Sequence, residues 1–316
     1  MRFDTYFPKI AALILWCACA LCRGQADALS QARALLEGGK IAESESVLRD
    51  FIARNPESAD GHFLLGYALF REEKGKESLA EFTAGAKFRR PRADELKIVA
   101  ADYVMLADYS DAEKWFSQVV SETPNDADAW YLLGRTRYNE NEFQAATEAF
   151  EHALTLRPKY VEAENNIGLA WKELNEREKA RDAFQTAIEW QGEAPSDAQP
   201  FLNLGTLFAE ASNYEPALPL LKRATSLAPK NPSVHEELAK VYQKTNKLPE
   251  AQSELEQAVA LAPDTSSLHY KLGQVLRREG QMDRAQQEFA ICERLNGAHS
   301  SSKVPNPPTV TSPAPK

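Results

Sequence analysis

Five histidines, one isolated cysteine and two asparagines are the residues of this chain whose types could do chemistry. The histidines are His62, His152, His235, His269 and His299. His235 and His269 stand 34 residues apart and could share a metal ion only if further ligands joined them. No Cys, Asp or Glu converges on them by spacing. There is no Gly-x-Ser-x-Gly, no His-Glu-x-x-His and no Gly-rich phosphate loop. No catalytic constellation is therefore expected from these residues. Asn166 and Asn203 point to a different chemistry. A side-chain amide offers a donor and an acceptor together, which matches the backbone of an extended peptide. That is recognition, and it requires elements that hold both amides on one face.

Those elements repeat. Numbering Ala127 to Tyr160 as positions 1 to 34, the unit carries Trp130, Leu133, Gly134, Phe143, Ala146, Phe150, Ala153 and Pro158. The same columns return in units beginning at Gln25, Ala59, Ala93, Ala127 and Val161. After a slip of three residues beyond Gly192 they resume at Ala198, Pro232 and Ser266. The eighth column is always Gly or Ala, and the twenty-fourth always Phe or Leu. The twentieth is Ala in the last six units and Ser44 or Ser78 in the first two. Each unit shows two apolar stretches at helical spacing, broken near its middle by polar turns such as Asn139-Glu140-Asn141. Small residues let paired helices approach closely, so Gly134 and Ala146 are expected to face one another, with Phe150 filling the space toward the next pair. Pro158 ends the second helix, because it has no N–H and clashes with the preceding turn.

The spacing Trp-x-x-Leu-Gly, Ala-x-x-x-Phe-x-x-Ala and Pro resembles the tetratricopeptide repeat (TPR) family. The resemblance covers residues 25–299 and implies an all-α fold, a right-handed α-solenoid of about eight tandem helix-turn-helix units. Each hairpin would complete its apolar face only against its neighbours. It also implies that first helices line a concave groove and that extended peptides lie along it. Side chains free to face that groove stand in columns 2, 5, 6, 9, 12 and 13. They include Phe63, Tyr67 and Phe70 in the second unit, Lys97 in the third, and Tyr131, Arg135 and Tyr138 in the fourth. The fifth unit adds Asn165, Asn166, Leu169 and Lys172, and the sixth Asn203. Columns 5, 9 and 12 hold six basic residues (Arg33, Lys97, Arg135, Lys172, Lys240, Arg277) against Glu236 alone, and column 2 adds Asp60, Asp94, Asp128 and Glu162. Aromatic residues with interspersed cations suit an apolar or acidic peptide. The family's chaperone-type carboxylate clamp is not matched, since Ala101 stands where an Asn is wanted after Lys97.

The three histidines His62, His235 and His269 share the fourth column with Trp130 and are expected to pack between helices. Cys292 stands in a column otherwise filled by Ala153, Ala187, Ala224 and Ala258, and is expected to be buried. Pro216 and Pro219 are tolerable in a second helix that begins near Glu215, if both fall near its first turn.

The termini differ in character. Arg2 and Lys9 precede the apolar run Ile10 to Cys22, with Arg23-Gly24-Gln25-Ala26 after it. This has the form of a secretory signal over residues 1–24, cleaved after Gly24 or after Ala26. A run of 13 residues is short of the ~20 needed to span a bilayer. A secreted or periplasmic location follows, with anchoring by lipid or by an uncleaved signal as the alternative. The crowded Cys17, Cys19 and Cys22 do not follow the Leu-small-small-Cys order of bacterial lipid attachment. With those three removed, Cys292 has no intramolecular partner. Residues 300–316 carry five prolines and little apolar bulk, and read as a disordered or extended tail.

The net charge is −9, and residues 1–24 carry Arg2, Lys9, Arg23 and Asp4, a net +2, so −11 remains after cleavage. Such an acidic chain is a poor partner for nucleic acid. No cofactor is implied, and a monomer or weak oligomer is expected. Two functions follow. One is a non-enzymatic scaffold that binds a protein or an extended peptide. The other is an accessory subunit that presents substrate to a separate envelope enzyme or assembly machine.

Overall fold

A computed structural model describes residues 27–301 and shows sixteen helices and no strand among them. The expected signal segment lies outside the described residues, as does the expected tail apart from its first two residues. The first helix, α1, runs over 27–37. It is followed by α2 Ile41–Arg54, α3 Ala59–Arg71, α4 Gly75–Ala86, α5 Ala93–Met105, α6 Tyr109–Glu122, α7 Ala127–Asn139 and α8 Phe143–Leu156. Then come α9 Val161–Glu173, α10 Arg177–Gln191, α11 Gln199–Glu210, α12 Tyr214–Leu227, α13 Pro232–Lys244, α14 Leu248–Leu261, α15 Ser266–Arg278 and α16 Met282–Ser301. The chain forms two compact bodies that part between Pro158 and Lys159, with four helical hairpins described in each. Within each body a hairpin packs on the next through its second helix. The all-α repeat of hairpins expected from the period is what both bodies show.

Every hairpin turns in the same way. The fifteenth-column residues Gly39, Glu73, Ala107, Asn141, Asn175, Ser212, Asn246 and Gly280 all have φ between 57° and 81°. The next amide donates to a carbonyl five residues back, as in Glu142 N to Arg137 O at 2.9 Å. This left-handed cap satisfies carbonyls that the ending helix leaves open.

The close approach of paired helices differs in detail from the expectation. A Cβ on Gly134 would lie 2.6 Å from Cε1 of Phe150, and one on Gly168 would lie 2.5 Å from Cε1 of Phe184. The ring thus lies against the glycine of its own hairpin, and does not fill only the space toward the next. Ser44 and Ser78 replace the twentieth-column Ala at no cost in unpaired groups. Their hydroxyls donate to the carbonyls of Ala32 and Gly66, at 2.9 and 2.8 Å.

The fourth-column residues pin each hairpin to the turn before it. Nε2 of His62, His235 and His269 donates to the carbonyls of Pro56, Pro229 and Pro263, at 2.8–3.0 Å. Nδ1 of each lies 2.6–2.7 Å from Glu81, Glu254 or Glu288 on the second helix. Trp130 makes the equivalent bond from Nε1 to the Pro124 carbonyl at 2.9 Å. The three imidazoles are buried and fully engaged, which removes His235 and His269 as a metal pair.

Three expectations change. Pro219 is the sixth residue of α12, beyond the first turn, so the Glu215 carbonyl loses its i+4 donor. Only Pro216 sits where the missing N–H costs nothing. Cys292 is half-buried. The last helix continues to Ser301, past the expected change of character at Ser300. The three-residue slip falls in the link after α10. There Gly192 takes φ 66° and the Gln191 side chain braces the loop, accepting from the amides of Ser196 and Asp197 at 3.1 and 2.8 Å.

Candidate peptide-binding face

The odd-numbered helices carry the columns expected to face a ligand. In the body of residues 27–158 these side chains surround two cavities. The first, about 340 Å³, is lined by Phe63, Leu64 and Tyr67 of α3, with Arg33, Phe82, Ile98 and several charged groups. The second, about 260 Å³, is lined by Phe70, Ala101, Val104, Met105, Phe116, Leu132, Arg135, Thr136 and Asn139. The aromatic set of α3 is therefore divided, with Phe63 and Tyr67 at one cavity and Phe70 at the other. Phe63 is 3% exposed, stacks on Phe82 at 5.8 Å and lies under the Arg89 guanidinium at 4.6 Å. It is a wall of the cavity and a core residue at once.

The cations fall into two groups. The three lysines are paired: Lys97 with Asp126 at 2.7 Å, Lys172 with Glu210 at 2.8 Å and Lys240 with Glu237 at 3.2 Å. Burial works against the Asp126 carboxylate. Hydrogen bonds from Lys97 and from the amides of Ala129 and Asp128 nevertheless hold its pKa below the usual range. The three arginines Arg33, Arg135 and Arg277 have no carboxylate partner among the described residues. Arg135 lies 5.9 Å from the centre of the Tyr131 ring, and Arg277 5.7 Å from that of Phe289. Tyr131 itself leans on Phe150 at 5.8 Å, and Tyr138 meets Phe143 edge-on at 5.3 Å, so both serve hairpin packing.

In the body of residues 159–301 the asparagines are not a matched ladder. The Asn203 amide donates to Oδ1 of buried Asn165 at 2.8 Å, and the Asn166 amide donates to the Glu162 carbonyl at 2.7 Å. The cause is register: the sixth column of one first helix faces the fifth column of the preceding one. The Lys271–Glu236 ion pair obeys the same rule two hairpins further on. Leu169 is half-buried against the cluster of Ala180, Phe184, Leu204 and Leu207. The structure thus gives Asn165, Asn203 and Lys172 partners within the fold, and leaves Tyr67, Phe70 and Arg135 at cavity mouths.

Two features escaped the column reading. Ala101, Val104 and Met105 form an apolar floor in columns 9, 12 and 13 of the third unit, a run visible in the sequence once those columns are compared. Asp102 stands in the tenth column, otherwise filled by Ala, Thr, Leu or Val, and is fully buried. Its Oδ2 lies 2.5 Å from the Ser78 hydroxyl, and its Oδ1 has no partner. Burial pushes its pKa up from 3.8 to about 7, against a smaller downward pull from Ser78. Elsewhere, carboxylate oxygens of Glu113, Glu140 and Glu142 gather within 4.8 Å of one another, with Arg137 on Glu113 at 2.8 Å. Burial raises the Glu140 pKa, with the neighbouring carboxylates adding to it. Among the described residues no helix is long and apolar enough to cross a membrane.

These hairpins and their first-helix face define an all-α helical-repeat protein. Models of the tetratricopeptide repeat match residues 29–93, 100–161 and 165–232, and another matches 208–275, so the chain belongs to the tetratricopeptide repeat family. Proteins of this fold typically mediate protein–protein interaction. Among curated relatives, the protein O-mannosyl-transferase TMTC1 of Mus musculus is 27% identical over 168 residues, 52% of this chain and 18% of the mouse protein. The RNA polymerase-associated protein CTR9 of Caenorhabditis elegans is 23% identical over 231 residues, 67% of this chain and 20% of that protein. The chain thus spans about a fifth of the length of these relatives. Among solved structures, a tetratricopeptide repeat protein from Parabacteroides merdae superposes with a TM-score of 0.65 at 15% identity, over 80% of this chain and 99% of that one. The anaphase-promoting complex assembly Cut9–Hcn1 gives 0.59 at 17% identity, over 85% of this chain and 53% of that one. At these identities the likeness is one of fold.

Proposed function

We infer that the chain is a non-enzymatic interaction module that binds an extended segment of a partner protein along its first-helix face. The observation that carries this is the pair of cavities lined by consecutive first helices of residues 27–158, each with aromatic walls and an arginine lacking a carboxylate partner. Tyr67, Phe70 and Arg135 are the contact residues, while Asn165, Asn203, Lys97 and Lys172 shape the face from within. Sequence likeness to O-mannosyl-transferases favours a second reading, in which the repeats present a substrate to an enzyme on a separate chain. The basic start and apolar run of residues 1–24 support a secreted or periplasmic setting.

The test is calorimetric titration of an envelope partner, captured and identified beforehand, against the wild type and Ala101→Trp, which fills the second cavity. Loss of affinity of about tenfold or more, with the helical spectrum unchanged, is expected. Equal affinity for the two proteins would place binding on another surface. Fractionation of cells tests the setting, since intact Met1 on cytoplasmic protein contradicts an export signal.

A further inference from the structure

We propose that the cavity between α3, α5 and α7 takes a large apolar side chain of a peptide that carries a carboxylate within one or two residues of it. This rests on the peptide-binding reading above and names the ligand's chemistry.

Shape and charge at one place carry the proposal. The walls are Phe70, Val104, Met105, Phe116 and Leu132, with Ala101 keeping the floor open, so the interior rewards apolar bulk. Its volume of about 260 Å³ exceeds the ~150 Å³ of an engineered cavity that admits benzene. Met105 is 38% exposed, although it belongs to a helix whose other face is core. Thioether side chains adapt to varied apolar partners, which suits a lining that closes on a ligand.

Arg135 is the one charged residue that lines this cavity, and it has no carboxylate partner among the described residues. The other polar residues of the lining, buried Thr136 and exposed Asn139, are neutral. The contrast with the first cavity is direct. There Asp60, Asp94 and Glu95 also line the wall, and each already meets an arginine: Asp60 with Arg89, Asp94 with Arg92, and Glu95 with both. The carboxylates of the first cavity meet arginines within the fold and share one lining with Arg33, whereas the second presents the planar five-donor fork of Arg135 with no acidic residue in its lining. An anion on the ligand completes it. A peptide fits better than a small acid, because the lining comes from successive first helices and continues along their face to the first cavity.

The experiment selects ligands without presupposing a sequence. A random 12-residue peptide library displayed on phage is panned on the full-length chain, and the strongest binder is synthesised with a fluorescent label. Expected is enrichment of Asp or Glu within two positions of Leu, Phe or Met. Binding of that peptide should weaken about tenfold in Arg135→Gln, and recover most of its strength in Arg135→Lys. Replacing the peptide's acidic residue by its amide should cost about the same, and should cost nothing further in Arg135→Gln. Arg135 is exposed, so these variants keep the fold, and melting curves confirm it. Selected peptides that are neutral or basic, yet blocked by Ala101→Trp, overturn the acidic assignment and leave the peptide-binding face standing. Acidic peptides indifferent to both Arg135→Gln and Ala101→Trp place the site elsewhere and overturn the proposal. Failure to recover any binding peptide overturns both readings.

Discussion

The side-chain amide of Asn203 donates to Oδ1 of Asn165 across 2.8 Å, tying α11 to α9. An amide that the sequence offers to a ligand is thereby used inside the fold. Asn203→Ala should destabilise the chain by roughly 1–3 kcal/mol, because buried Asn165 loses its donor. Asn166→Ala, which removes a bond to the Glu162 carbonyl of its own helix from an exposed amide, should cost less than Asn203→Ala. Urea denaturation of the two variants separates them. Equal stability would mean that the Asn165–Asn203 bond is not formed in solution.

Stability should depend on pH through Asp102. Its folded pKa of about 7 lies above the ordinary 3.8, so the folded state holds a proton that the unfolded chain releases earlier. The contribution is fully present below pH 3.8 and is lost as pH rises through about 7. Hydrogen-bond geometry agrees: a protonated Asp102 donates to Ser78 Oγ, which frees the hydroxyl proton for the Gly66 carbonyl. Asp102→Asn should therefore gain stability over the wild type between pH 4 and 8, by roughly 1–4 kcal/mol. Denaturation midpoints at both pH values measure this. A difference that stays flat with pH would show that Asp102 titrates normally.

The hairpin turns give a third outcome. Ala107 holds φ 57° at a position where a Cβ is strained and glycine is not. Ala107→Gly should raise stability by about 0.5–1 kcal/mol, despite the greater freedom it confers on the unfolded chain. Thermal melting reads the gain, and a fall in melting temperature would contradict the strain.

Gly134 and Phe150 give a fourth. Gly134→Ala places a methyl 2.6 Å from a ring that is 0% exposed and must shift to accept it, at a cost of about 1–3 kcal/mol. Phe150→Leu alone also destabilises, yet the double variant should recover part of the loss. Its unit would then match the natural pairings Ala32 with Leu48 and Ala239 with Leu255 in the same columns. Strict additivity of the two losses in melting experiments would show that the ring is not the obstacle.

The hairpins were legible because their signals are local. Column 8 and column 24 set the approach of two helices within one unit, and the fifteenth column marks each turn. Pro219 falls past the first turn whether α12 begins at Tyr214 or at Glu215, because only the first few N–H groups of a helix lack a partner. The ligand face was less legible, because it depends on how one first helix sits against the previous one. No column alone shows that Asn203 meets Asn165, that Lys97 meets Asp126, or that Phe63 and Phe70 of one helix serve different cavities. Arg135 was visible as a basic groove residue. Its lack of a carboxylate partner is a property of its neighbours in space.

The measurement closest to the central claim is site-specific photo-crosslinking of the full chain in its native extract. A photoreactive residue at position 101, on the floor of the second cavity, is compared with one at 148 on the exposed side of α8. A discrete adduct from 101 that is competed away by the selected peptide, with none from 148, is the expected result. Adducts from 148 and none from 101 would contradict a binding face on the first helices.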